Sequence, residues 1–284
     1  MKKTIVELPN GLNVEIEVNR YRAKIVYSPK VRGDIVIPKF VDYESKKYLI
    51  ISIGQDSFRS NQLINSLSFA AETRVRNIDA GIFSESSVSR FLIPASLETL
   101  NDMWCCFSNK LIQIEVSPEN QHFIYKYDKF LFNRSNDILI FSRRDISGNI
   151  IIPLCVKQIA PNAFSQCKKI DSLSFESSYS SALQSIDKYA FSGCEKLISI
   201  QPLPLSVNYL GYMCFFSCIF NSLEILGTNV FIDDECFNGC CLLDCISFPN
   251  SKSINIGINA FAKVNNDISL FFQNNTEIKI QYIH

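Results

Sequence analysis

The sequence predicts an all-β chain wound as a solenoid of stacked coils, and three observations predict it. An aliphatic residue recurs at Ile53, Ile78, Leu100, Ile159, Ile186, Leu210, Ile232 and Ile256, with gaps of 25, 22, 59, 27, 24, 22 and 24 residues. Five residues later stands a phenylalanine: Phe58, Phe83, Phe164, Phe191, Phe215, Phe237 and Phe261, with Cys105 as the exception. A short L-x-x-I-x-F segment follows, as in Ile64/Leu67/Phe69, Leu111/Ile114/Val116, Ile170/Leu173/Phe175 and Leu243/Ile246/Phe248. Apolar residues two apart face one side of a strand. A single coil cannot bury that side alone, so neighbouring coils stack into parallel strands and the Phe column fills the other wall. A helical core stripe would not recur at so long a period.

The elements follow in order. Residues 1–50 read as an N-terminal β cap and a first irregular coil. They include "GDIVIP" (Gly33–Pro38) and the hairpin-like "KFVDYESKKYLI" that leads to Ile53. Residues 51–116 hold coils one to three. Residues 117–153 explain the gap of 59: Phe130–Phe132, a turn over Asn133–Asp137 and Ile138–Phe141 read as an inserted β-hairpin. That segment ends in "GNIIIP" (Gly148–Pro153), an echo of "GDIVIP". Residues 154–272 hold coils four to eight, the sixth losing its strand pattern around Asn221. Residues 273–284 form a tail in which "TEIKIQYIH" caps an otherwise open edge as one more strand.

Two further columns flank the phenylalanines. Just before them stand mostly small residues: Ser57, Ala163, Ala190, Cys214, Cys236 and Ala260, with Ile82 and Trp104 departing. Three residues after them come Asn61, Ser86, Ser108, Cys167, Cys194, Cys218, Cys240 and then Val264. The combined pattern I-x4-F-x2-C-x2-L-x2-I-x-F-P is clearest at 159–175, 186–200 and 232–249. It resembles the BspA-like leucine-rich repeat family over roughly residues 30–272. The "GDIVIPKFVDYESKKYLIISIGQDSF" and "DKFLFNRSNDILIF…GNIIIP" segments are typical of that family too. The resemblance implies a right-handed leucine-rich-repeat-like β-solenoid with no shared catalytic residues. Family members occur as bacterial surface antigens and in large families of parasitic protists, and known ones are implicated in binding host proteins or other cells.

Composition narrows the function. Lys+Arg and Asp+Glu both number 28, so no basic excess points to nucleic acid or a membrane surface. The N-terminus carries Lys2 and Lys3 but no apolar h-region, and no apolar run is long enough to span a bilayer. With 11 cysteines, an odd number, this reads as a cytoplasmic chain with reduced thiols, or as one that reaches the cell surface by an unconventional route. Asn133-Arg-Ser and Asn274-Asn-Thr match the glycosylation acceptor pattern and read as chance matches.

"IDDECFNGCCLLDCISFPN" (Ile232–Asn250) concentrates four thiols, Cys236, Cys240, Cys241 and Cys245. A structural zinc needs four converging ligands. The repeat frame instead scatters these four over four columns, with Cys236 and Cys240 buried and Cys241 and Cys245 accessible. The column Cys167, Cys194, Cys218, Cys240 reads as a ladder of small buried S–H donors. A Cys–His pair has only His122 and His284 to draw on. No phosphate-loop, dinucleotide, zincin or serine-hydrolase motif occurs. Asp233/Asp234 reads as a turn cap. No cofactor, metal or catalytic residue is assigned.

What remains is a surface. The outward positions of the strands are the natural binding face of a solenoid. Here the candidates are Ser68, Arg90, Gln113, Glu115, Ser172, Ser174, Gln201 and Ser247. The aromatic segment with Phe123, Tyr125, Tyr127, Phe130 and Phe132 is the second candidate, with Tyr125 and Tyr127 as contacts. The expected role is a non-catalytic scaffold for a protein partner. The rival readings are a cell-surface adhesin and a cysteine-based metal protein or enzyme.

Overall fold

The computed structural model describes residues 3–265, 268–273 and 276–280. Apart from one 3-10 turn at Val18–Arg20, every regular element among these residues is a strand. The chain packs as two units, Met1–Asp128 and Lys129–His284.

Unit 1 opens with an antiparallel meander of Lys3–Glu7, Asn13–Glu17 and Arg22–Val26. The alternation of "NVEIE" puts Val14 and Ile16 inside and the glutamates outside. Arg22–Val26 then pairs in parallel with Lys46–Ile53, which pairs with Asn77–Ile78, and that with Thr99–Leu100. This first ladder aligns Ile25, Ile53, Ile78 and Leu100. Phe40–Tyr43 folds back on Lys46–Ile53 through Glu44 and Ser45, both left-handed. A second ladder, also parallel, runs through Gly33–Ile37, Ile64–Phe69, Arg90–Ile93 and Gln113–Val116.

Unit 2 repeats the plan. Phe130–Asn133 and Ile138–Ser142 form the expected hairpin, with a bulge at Leu131/Phe132. It is more than an insertion, because its second strand is itself a coil strand: Leu139 lies opposite Ile159. The ladder continues through Gln158–Ile159, Ser185–Ile186, Tyr209–Leu210, Asn229–Ile232, Ser253–Ile256 and Glu277–Ile280. Ile25, Leu139 and Ile280 therefore extend the eight recurring aliphatic positions, and the coils number about 11. The second ladder of unit 2 is interrupted. Ser147–Ile152, Lys169–Phe175 and Ser199–Ile200 make one sheet; Ser222–Glu224, Cys245–Phe248 and Ser269–Phe272 make another. Among the described residues the isolated Leu203–Ile225 bridge joins them. The sixth coil, expected to lose its strand, keeps a short one at Ser222–Glu224 because Leu223 still supplies an inward aliphatic residue opposite Ile246.

The wall between the ladders is built from consecutive tight turns. Asn162, Tyr189, Met213, Glu235 and Asn259 are left-handed, as are Gln166, Gly193, Ser217, Gly239 and Lys263 four residues on, with φ from 50 to 77°. Each non-glycine residue there costs about 1 kcal/mol. Backbone hydrogen bonds between coils offset that cost, and along this wall they run one way. The Asn162, Phe164 and Gln166 N–H groups donate forward to Lys188, Ala190 and Ser192 carbonyls at 3.1, 2.7 and 2.8 Å. Tyr189, Phe191 and Gly193 repeat this onto Tyr212, Cys214 and Phe216. At the start of unit 2 Arg144, five residues after Leu139 and so in the phenylalanine's place, is buried over the Phe141 ring. Its guanidinium donates to the Asn162 and Ala163 carbonyls at 3.0 and 2.9 Å.

Phe164, Phe191, Phe215 and Phe237 are fully buried and stack face to face with Phe261 at 4.8–5.7 Å, with interplanar angles of 8° or less. Burial of each such ring is worth about 1.5–3 kcal/mol. In the third coil, where Cys105 replaces the phenylalanine, Trp104 turns its indole onto Phe83 and Phe91 instead.

Candidate functional site

The second ladder presents its polar positions outward because Leu67, Phe91 and Ile114 take the inward ones. In unit 1 this face forms a shallow groove of ≈ 290 Å³ that gathers Ser68, Arg90, Gln113 and Glu115 with Asp34 and Ser66. Arg90 Nη2 donates to Asp34 Oδ1 at 3.2 Å and Ser66 Oγ donates to the same oxygen at 2.5 Å. The Ser66 hydrogen bond, together with Arg90, lowers the Asp34 carboxyl below its ordinary value. Gln113 Nε2 donates to Glu115 Oε1 at 2.7 Å. The face is thus a fixed pattern of carboxylate, guanidinium and carboxylate on rigid strands. Asp34 was not among the residues singled out from sequence. Its strand precedes the first recognised coil, and a register shift between Gly33 and Asp34 brings it opposite Ser66.

In unit 2 the same face is mostly uncharged, with Glu224 as an exposed carboxylate. Ser172 and Ser174 both donate to Asn149 Oδ1, at 3.0 and 2.8 Å. Gln201 is exposed, but its Oε1 accepts the Phe175 N–H at 3.0 Å, so part of its side chain serves the sheet. Ser247 is half-buried between Glu224 and Phe271. The aromatic segment divides. Phe123, Phe130 and Phe132 are core, Tyr125 is half-buried, and Tyr127 is 63% exposed at a left-handed turn position.

The thiols of Ile232–Asn250 lie where the repeat frame puts them. Cys236 and Cys240 are buried, Cys241 is exposed and Cys245 is half-buried. Cys240 Sγ donates to the Phe215 carbonyl at 3.1 Å, Cys218 to Phe191 and Cys194 to Phe164 at 3.3 Å each. Burial pushes the Cys240 thiol up to about 12 and those of Cys194 and Cys218 well above their ordinary value, so all three stay protonated donors. Cys236 Sγ lies 3.4 Å from Cys214 Sγ of the preceding coil, a pairing that the within-coil spacing does not reveal. Asp233 and Asp234 cap as expected: Asp233 Oδ1 accepts the Asp234 N–H and Asp234 Oδ1 accepts the Ile258 N–H. The Asn133 side chain is committed to its turn, accepting the Asp137 and Ile138 N–H groups. His122 is exposed, whereas His284 and Asn274 lie outside the described residues.

The description "BspA type Leucine rich repeat region" matches residues 46–141, 139–182 and 157–282, in six copies. The chain belongs to the BspA-type leucine-rich repeat family. This BspA-type chain is also similar to solved structures. The pneumococcal vaccine antigen PcpA matches with TM-score 0.52 at 13% identity, over 99% of each chain. A leucine-rich repeat protein from Eubacterium ventriosum matches with TM-score 0.49 at 15% identity, over 100% of this chain and 97% of that one. A leucine rich cell surface protein from Faecalibacterium prausnitzii matches with TM-score 0.47 at 15% identity, over 100% and 96%. At such identities the likeness is one of fold. No curated protein matches this BspA-type chain by sequence. Among its described residues no helix is long and apolar enough to cross a membrane.

Proposed function

We propose that the chain is a non-catalytic scaffold that binds a protein partner through the outward face of its second ladder. The observation that carries this reading is the unit 1 groove, where Asp34, Arg90 and Glu115 hold alternating charge on hydrogen-bonded strands. Such a pattern selects a partner by complementary charge more than by area. Unit 2 by itself offers Ser172, Ser174, Gln201 and Ser247 as candidate contacts, and Tyr127 is an exposed ring in unit 1. The name of one fold neighbour, a pneumococcal vaccine antigen, favours placing this scaffold at the cell surface over the cytoplasm.

The test is affinity capture from native cells with wild type and with an Arg90→Glu/Glu115→Lys variant of unchanged circular dichroism. A partner retained by wild type and lost by the variant supports the reading; equal retention removes it. Biotinylation of live cells with a membrane-impermeant reagent tests the surface placement, and an unlabelled chain would return it to the cell interior. Stoichiometric zinc or iron in the purified protein would favour the cysteine-based reading instead.

A further inference from the structure

The first ladder of unit 1 carries a second groove, on a different set of strands, and its lining is unlike the first. It measures ≈ 450 Å³ and is lined by Arg22, Leu49, Ile51, Arg74, Arg76 and Asn77. Arg22 lies opposite Leu49 on the neighbouring strand, and the Arg76 N–H donates to the Ile51 carbonyl at 2.9 Å. Arg22 on one neighbouring strand and the Arg74–Arg76 segment leading into Asn77–Ile78 therefore flank one strand whose Leu49 and Ile51 are half-buried. Neighbouring strands are about 4.8 Å apart, so the flanking arms start about 10 Å from one another and are long enough to converge over the floor. Arg74 and Arg76 share the outer side because Val75 between them is fully buried.

The charge in this groove is under-compensated. Arg76 pairs with Glu98 at 3.1 Å, and both are well exposed, so the pair is weak and easily given up. Glu17 stands across from Arg22, but its carboxylate turns to Arg20 at 3.8 Å. Glu72, close enough to feel Arg74, pairs with Lys39 at 2.8 Å. Neither Arg22 nor Arg74 has an ion pair or side-chain hydrogen bond among the described residues. In a chain with 28 cationic and 28 acidic residues, this places about two uncompensated guanidinium groups beside an aliphatic floor.

We infer that this groove binds an aryl oxyanion, a phosphate or sulfate ester carried on a flat apolar ring. The guanidinium forks supply parallel N–H donors to the tetrahedral oxygens. Leu49 and Ile51 supply the apolar surface on which the ring lies, and inorganic phosphate has nothing to place there. The assignment is independent of the partner face on the second ladder.

Calorimetric titration of the full chain at low salt with phenyl phosphate, phenyl sulfate and inorganic phosphate tests it. Saturable binding of either ester, roughly tenfold tighter than inorganic phosphate, is expected from burial of the ring. The tighter of the two esters identifies which oxyanion the groove prefers. Arg22→Gln/Arg74→Gln should weaken it at least tenfold, and Arg90→Gln, on the other face, should leave it unchanged. Circular dichroism checks the fold, and the single Arg74→Gln variant carries the same test if the double variant unfolds. No saturable binding, equal affinity for inorganic phosphate, or an equal loss in Arg90→Gln would each overturn the assignment.

Discussion

Units 1 and 2 build one kind of coil from different side chains in the same two columns. In unit 2 the phenylalanines stack almost parallel, and thiols donate from each coil to the phenylalanine carbonyl of the coil before. In unit 1 Phe58 and Phe83 tilt by 25°, Trp104 meets Phe83 at 64°, and the donors are Asn61, Ser86 and Ser108. Ser108 reaches back to the Phe83 carbonyl as the thiols do. Asn61 does more, donating to the Val31 carbonyl at 3.0 Å and accepting the Leu63 N–H at 2.8 Å. Apart from Val264, the members of this column share a small group with a hydrogen to give, and the identity of the atom is secondary. The parallel stack is a consequence of exact repetition: where Trp104 and Cys105 break the pattern, the rings must tilt to fill the same space.

That comparison can be broken experimentally, beginning with its largest effect. Phe215→Ala removes a ring stacked on both sides at 5.5 and 5.7 Å and should cost about 3–5 kcal/mol by denaturant unfolding. Phe83→Ala should cost about as much, and a clearly larger loss in unit 2 would mean that parallel stacking adds to burial. Next, Asn61→Ala should cost about 2–3 kcal/mol and Cys218→Ala about 1 kcal/mol less. The Phe191 carbonyl keeps the Cys194 N–H at 3.2 Å when the thiol is lost, whereas removing Asn61 takes away two hydrogen bonds.

Alkaline pH should separate the units as well. The folded Cys194 and Cys218 thiols titrate well above their ordinary value of 9.0, and Cys240 at about 12. The unfolded chain therefore loses thiol protons first, and the stability held by the protonated column is complete below pH 9 and falls from there toward 12. Hydrogen exchange should show unit 2 opening before unit 1 over that range. A Cys194→Ser/Cys218→Ser/Cys240→Ser variant should lose the difference, and if it keeps it another group is responsible. The smallest effect is on labelling. A thiol reagent on the folded protein should modify Cys155 and Cys241 quickly and Cys245 slowly, leaving the other eight for denaturant.

Within-coil pattern made most of the fold legible. The aliphatic, phenylalanine and small-residue columns each repeat because each coil must fill the same slice of core. What escaped depends on register between coils. Ile25 and Leu139 sit on the ladder without a phenylalanine five residues on: Lys30 and Arg144 stand there. Asp34 joins Arg90 only through a shifted strand, and Cys214 meets Cys236 only because two coils align. The arginine groove draws on three strands separated by hairpins and turns, so no local spacing announces it.

The one-way hydrogen bonds of the turn wall have an electrical consequence. In a parallel sheet the peptide groups alternate in direction, but here successive coils repeat the same forward orientation, and their dipoles add along the stack as they do along a helix axis. Such a wall carries partial negative charge at its first coil and partial positive charge at its last. Arg144 brings a full positive charge to the first end in unit 2, where carbonyls accumulate. It does for the solenoid what a cation does for the C-terminus of a helix: it terminates a column of aligned dipoles.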